Sequence, residues 1–173
     1  IFQKSILDQD IQQQLGLFDV VYSWGVLHHT GDMWTAISKA ATLVAPSGYF
    51  YIALYNNVPG KFGSRMWRRI KRWYNTSPRF IRLIMEWIYI CKFIAHHLIR
   101  FKNPWLKMRQ HAVRRGMSWR VDVTDWLGGY PYEYATVDEV VSYMRKHVPE
   151  FFLVNLKSTC DVGNNYFLFK RYV

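Results

Sequence analysis

The sequence predicts an α/β fold, on three observations. Phe18–Ser23 is a short run of β-prone residues behind Gly16, read as a strand covered on both faces of a parallel sheet. A helical pattern follows it, and Tyr49–Tyr55 is a second strand, so strand, helix and strand close a parallel βαβ unit in under forty residues. Near the C terminus, Phe151–Ser158 and Tyr166–Tyr172 are two strands joined by a turn at Asp161–Asn165, too short for a helical crossover and therefore an antiparallel hairpin.

The elements follow in order. Ile1–Ile6 reads as a strand with no cap or turn ahead of it, and the chain opens with Ile1 instead of Met, so the expectation is a fragment that begins inside a domain. Asp32 is placed to cap a helix in which Trp34, Ile37, Ala41 and Val44 fall at helical spacing, with Pro46-Ser47-Gly48 as its stop. Residues 61–115 interrupt the alternation with two or three helical stretches rich in Arg, Trp and Ile, broken around Pro78 and Pro104, and read as an insertion. Thr136 and Glu139 form a capping box that opens a helix to about His147, with Pro149 just past its end. The expected division is a partial core over 1–60, a basic and aromatic helical insertion over 61–115, and an acceptor loop, helix and hairpin over 116–173.

Half of the 173 residues are hydrophobic, enough to bury a core within one domain. Cys91 and Cys160 stand alone, without CxxC spacing or a His/Cys cluster, so neither a metal site nor a disulfide framework is expected and a reducing cytoplasm is the default. The net charge of +11 is uneven. Residues 61–120 carry 16 Lys and Arg against the single acid Glu86, whereas the remainder carries 7 against 11 acids. That segment alone therefore points to an anionic partner or a membrane surface.

The stretch FDVVYSWGVLHHTGDMWTAISKAATLVAPSGYFYIALYN, with its VLHH turn and Pro-Ser-Gly stop, resembles the fourth strand, following helix and fifth strand of class I S-adenosylmethionine-dependent methyltransferases, in the branch that includes ubiquinone-biosynthesis O-methyltransferases. In those proteins a final antiparallel strand inserts beside the fifth. The resemblance implies a Rossmann-like sheet lacking its first two strands. It also implies a cofactor, S-adenosylmethionine, met by Ser5 and Ile6 at the adenine, and by Ser23, Trp24 and Gly25 at the end of the strand. The family's glycine-rich loop and ribose-holding acid have no counterpart here, so weak or absent cofactor binding is expected of this chain alone.

Methyl transfer mainly requires alignment and exclusion of water, with a general base only where the acceptor is protonated. His29 and His28 are the candidate bases, and one of the pair is expected to pack inward or to cap the helix at Asp32. Tyr55 and Asn56 stand either in the acceptor pocket or in an ordinary turn. Asp122, Asp125, Trp126, Tyr130, Tyr132 and Glu133, in an aromatic loop before the capped helix, either close over the acceptor or seat the insertion.

The stretch from Phe80 to Phe101 has the length of a membrane span but too many charges for hydrocarbon. It reads as a helix packed between partners or lying on a bilayer, and residues 65–75 interleave cations with aromatics in a texture that suits lipid headgroups or nucleic acid. The leading expectation is a methyltransferase acting on a small hydrophobic or aromatic acceptor, cytoplasmic and membrane-associated through 61–115. The rivals are an RNA-directed methyltransferase and a catalytically inactive binding module. An exposed sheet edge is further expected to drive aggregation or dimerisation.

Overall fold

The computed structural model describes residues 1–172; Val173, the last position of the third expected range, lies outside the described residues. Two compact units are present, Ile1–Arg68 with Pro131–Val173, and Arg69–Tyr130.

The first unit is a mixed α/β body. After a short helix α1 (Ile11–Leu15) come strand β1 (Phe18–Trp24), a 3-10 turn at Leu27–His29, helix α2 (Met33–Thr42) and the long strand β2 (Val44–Tyr55). The helical segment α3 (Ser64–Thr76) leads out of it, and helix α7 (Val137–His147) with strands β3 (Phe151–Lys157) and β4 (Asn164–Arg171) completes it. Among the described residues the sheet has four strands in the order β1-β2-β4-β3. β1 runs parallel to β2, while β4 lies antiparallel to both β2 and β3. The last strand in the chain is thus inserted between the second and the third.

One face of this sheet is the core. Phe50, Ile52 and Leu54 of β2 and Phe167 and Phe169 of β4 alternate onto it and are at most 1 % exposed. They meet Ile37 and Ala41 of α2 and Val140 and Met144 of α7, and each large side chain so buried contributes about 1.5–3 kcal/mol. Both covering helices start as the sequence requires. The Asp32 carboxylate accepts from the Thr35 amide at 3.3 Å, and Thr136 and Glu139 form the reciprocal capping box.

Four expectations need correction. Residues 1–6 form no strand and pair with none among the described residues; Ser5 and Asp8 instead close a local turn. β1 is not covered on both faces: Phe18, Val20, Tyr22 and Trp24 are 45–59 % exposed on its open side. Pro46-Ser47-Gly48 does not stop α2, which ends at Thr42; these residues bulge within β2, where the register jumps from Phe18↔Val44 to Val20↔Tyr49. Gly48 is required there, since a Cβ would lie 2.8 Å from the Ala45 carbonyl oxygen and 2.9 Å from that of Asp19. Finally, the aromatic stretch after residue 115 is not simply a loop. It contains helix α6 (Trp119–Gly128), nucleated by the Ser118 hydroxyl, which accepts from the Val121 amide, and anchored by Val123 and Leu127 one turn apart.

The second unit is helical. With the end of α3 it contains α4 (Arg79–Ile99), α5 (Pro104–Arg115) and α6. Pro78 and Pro104 stand at the two helix starts, where a missing N–H costs nothing. Inside it, the Tyr74 hydroxyl donates to Glu86 at 2.6 Å, and burial followed by that bond raises the phenol to about 12. The Lys71 ammonium lies 4.1 Å from the Trp126 ring and donates to the Trp126 carbonyl; burial lowers its pKa to about 7.

A folded-state pKa of about 7 lies below the value of 10.5 for an exposed lysine. The unfolded chain therefore binds the proton more tightly, the penalty on the fold is full below pH 7, and stability rises with pH from about 7 to 10.5. Lys71→Met is expected to unfold at higher denaturant concentration than the wild type at pH 6, with the gap closing towards pH 10.5. A gap independent of pH would show that Lys71 is not held neutral.

Candidate functional site

Because β1 and β2 are parallel, their carboxyl ends share one rim of the sheet, Trp24 opposite Ala53 and two residues short of Tyr55. Backbone groups leave the ladder here, and ligands of open α/β sheets bind at such ends. Gly25 turns the chain with φ +72°, a conformation that disfavours a side chain, and nothing stands within 4 Å of where its Cβ would be. Beside it a crevice of about 400 Å³ is lined by Ile6, by Val21, Tyr22, Ser23 and Trp24 of β1, by Val26 and Leu27, and by Ala40 of α2 and Leu43 just past its end. Of the five positions expected to meet the cofactor, Ile6, Ser23 and Trp24 line this crevice and Gly25 adjoins it. Ser5 does not; its hydroxyl accepts from the Leu7 amide. Ile6 is held in place by α2, whose Lys39 ammonium donates to the carbonyls of Leu7 and Asp8 at 2.6 and 2.9 Å.

The two histidines are set differently. His28 is fully buried, its Nδ1 accepting from the Tyr55 amide at 3.2 Å and its ring 4.0 Å from that of Tyr55. A backbone amide can only donate, so the neutral His28 ring carries its proton on Nε2. His29 is half-buried, and its Nδ1 lies 2.6 Å from the Pro131 carbonyl oxygen. A carbonyl can only accept, so His29 donates from Nδ1 and its basic lone pair sits on Nε2. Neighbouring residues thus hold opposite tautomers: His28 ties the β1–α2 turn to the end of β2, and His29 has the tautomer suited to accept a proton.

Around them stand Tyr55, half-buried, and Tyr132, 1 % exposed, with ring centres 4.7 Å apart; the Tyr55 ring is also 5.5 Å from that of His29. Burial, then the neighbouring Tyr55, raises the Tyr132 phenol well above its ordinary value, so it stays protonated. Glu133 is spent on the scaffold: its amide donates to the His28 carbonyl at 3.0 Å, and its carboxylate accepts from the Met33 amide at the start of α2. Asn56 is spent likewise. Its Nδ2 donates to the carbonyls of Thr159 and Asp161, and its Oδ1 accepts from Asn165. Asp122, Asp125, Trp126 and Tyr130 belong to the helical unit, where Asp122 pairs with His111 at 3.3 Å and Trp126 receives Lys71.

Sequence reasoning missed Pro131, whose carbonyl fixes the His29 tautomer, and Ser64, fully buried, whose hydroxyl donates to the Asn56 carbonyl at 2.7 Å and accepts from Val58. Neither carries a local signal; both act through contacts that only the folded chain creates.

No protein-family model and no curated protein matches the chain. Among solved structures it is similar to PKMT2 from Rickettsia typhi in complex with AdoHcy, at 18% identity and a TM-score of 0.51, over 96% of this chain and 38% of that one. It is also similar to an O-methyltransferase family protein from Burkholderia thailandensis, at 14% identity and a TM-score of 0.48, over 99% of this chain and 35% of that one. The chain thus spans well under half the length of either. The likeness to PKMT2 is one of fold.

Imidazole nitrogen shifts in a ¹⁵N-labelled sample above the titration range test the site geometry: Nε2 of His28 and Nδ1 of His29 are expected to be the protonated nitrogens. The same tautomer at both positions would contradict it.

Proposed function

We propose that this chain forms part of an S-adenosylmethionine-dependent methyltransferase of the class I fold, acting on a small hydrophobic or aromatic acceptor. The observation that carries the reading is the convergence, on one rim of the sheet, of an apolar crevice beside Gly25 and a half-buried imidazole whose Nε2 holds the lone pair. The AdoHcy bound in the PKMT2 structure supports the choice of donor.

The residues present fit the sulfonium end of such a donor better than its ribose. Trp24 and Val26 offer an aromatic and an aliphatic wall for a cationic sulfur, Ile6 an apolar one for a base, and Gly25 leaves its backbone open to close approach. The sequence holds no Gly-x-Gly loop for the carboxylate, so these residues alone bind weakly. When bound, S-adenosylmethionine supplies a methyl group already activated by the positive sulfur. The chain has then to orient the acceptor, exclude water and hold one proton. Tyr55, half-buried beside His29 and backed by the buried Tyr132, gives an aromatic surface suited to a flat ring. His29 Nε2 takes the proton from an acceptor hydroxyl while Nδ1 donates to Pro131, which stabilises the imidazolium formed.

Titration with S-adenosylhomocysteine, followed through backbone amide shifts, tests the reading. Shifts confined to Ser23–Val26 and their neighbours, and retained in His29→Gln, are expected. Shifts absent from that turn, or present only in the helical unit, would remove the donor site.

A further inference from the structure

We propose that the helical unit is a peripheral membrane foot, in which the outward stripe of α4 and the turn into α5 enter the headgroup layer of an anionic bilayer. The inference stands apart from the transfer reaction and rests on the helical unit alone.

α4 carries two apolar stripes. The inward one, with Met85 and Ile90 buried, packs the unit. The other holds Phe80, Leu83, Ile84, Trp87 and Ile88 at the i, i+3, i+4, i+7, i+8 spacing of one helix face, and these are 39–63 % exposed. The stripe continues to Leu98 and Ile99 at the end of the helix, about 30 Å from its start at 1.5 Å per residue. There the chain turns through Phe101, 99 % exposed at φ +51°, to Trp105 and Leu106, 63 % and 52 % exposed. A soluble surface scatters single apolar residues; a continuous stripe ending in a presented Phe and Trp is an interaction face.

Charge selects the occupant. Residues 69–130 hold thirteen Lys and Arg against the three acids Glu86, Asp122 and Asp125, of which the Glu86 carboxylate accepts from Tyr74 and that of Asp122 pairs with His111 inside the unit. Arg79, Arg82 and Lys92 flank the stripe, and Arg100, Lys102 and Lys107 surround the turn, all exposed. The exposed His96 stands in this field, held below the ordinary imidazole range first by Arg100, then by desolvation, and further by His97, Lys102 and Lys92. Long cationic side chains around an apolar stripe keep their heads at phosphate level while their stems and the aromatics enter the interface, and Trp is the residue that favours that depth. Among the described residues no helix is long and apolar enough to cross a membrane, so the unit lies on the surface.

Co-sedimentation of the whole chain with phosphatidylcholine vesicles, with and without phosphatidylglycerol, tests this. Retention is expected to need phosphatidylglycerol, and to fall at least about tenfold both in Phe101→Ser/Trp105→Ser and in Arg100→Glu/Lys102→Glu, since apolar burial and surface basic residues both hold a protein to an anionic interface. Ile84→Glu/Ile88→Glu, on the outer stripe, is expected to act the same way, with the circular dichroism of all three variants unchanged. Three results would overturn the proposal: retention insensitive to Phe101 and Trp105, self-association in light scattering that these substitutions abolish, or preferential retention on RNA with loss in salt.

Discussion

The end of β2 is the point on which the sheet unit depends. A central strand must release its backbone groups from the ladder at its carboxyl end, and buried N–H and C=O groups left there without partners cost about 1–3 kcal/mol each. Here three separate segments take them. The Tyr55 amide goes to His28 and its carbonyl accepts from Ala135 at 3.0 Å; the Asn56 amide donates to Gly163 at 2.9 Å and that of Asn57 to Ala135 at 3.1 Å. The turn after β1, the segment before α7 and the β3–β4 connection are thereby tied to one tripeptide. The rim is rigid because β2 needs partners, and the crevice, His29 and Tyr132 inherit that rigidity.

The parts of the fold legible in the sequence are those with local causes. Asp32 and the Thr136/Glu139 box announce helix starts because their partners lie three residues away. Tyr49–Tyr55 is legible as a strand because most of it is buried and β-prone, and Pro78 and Pro104 mark helix starts through their missing donors. The failures have long-range causes. Ile1–Ile6 is as β-prone as many strands, but a strand exists only where it joins a ladder, and these residues join none among the described residues. Pro46-Ser47-Gly48 looks like a helix stop, and becomes a bulge against the facing strand, where a Cβ at position 48 would lie 2.9 Å from the Asp19 carbonyl oxygen.

The place of the crevice was legible in outline. Ser23, Trp24 and Gly25 follow from the rule that strand ends hold ligands, and the structure opens a crevice there. The division of labour between His28 and His29 was hidden, because it is decided by Tyr55 and Pro131, residues 27 and 102 positions away. Glu133 and Asn56 have side chains typical of binding pockets, yet both are consumed in satisfying backbone groups and neighbouring side chains. Side-chain chemistry alone cannot separate a group offered to a ligand from one already committed to the fold.

Native-state hydrogen exchange at Tyr55 bears most directly on this account. Its amide is expected to exchange as slowly as that of buried Ile52 in the same strand. His28→Ala is expected to speed exchange at Tyr55 by about tenfold, the equivalent of the ~1.4 kcal/mol carried by one buried hydrogen bond, while leaving Ile52 unchanged. Exchange at Tyr55 as fast as that of an exposed loop amide in the wild type would mean that β2 ends in solvent, and that no fixed rim exists to hold a ligand.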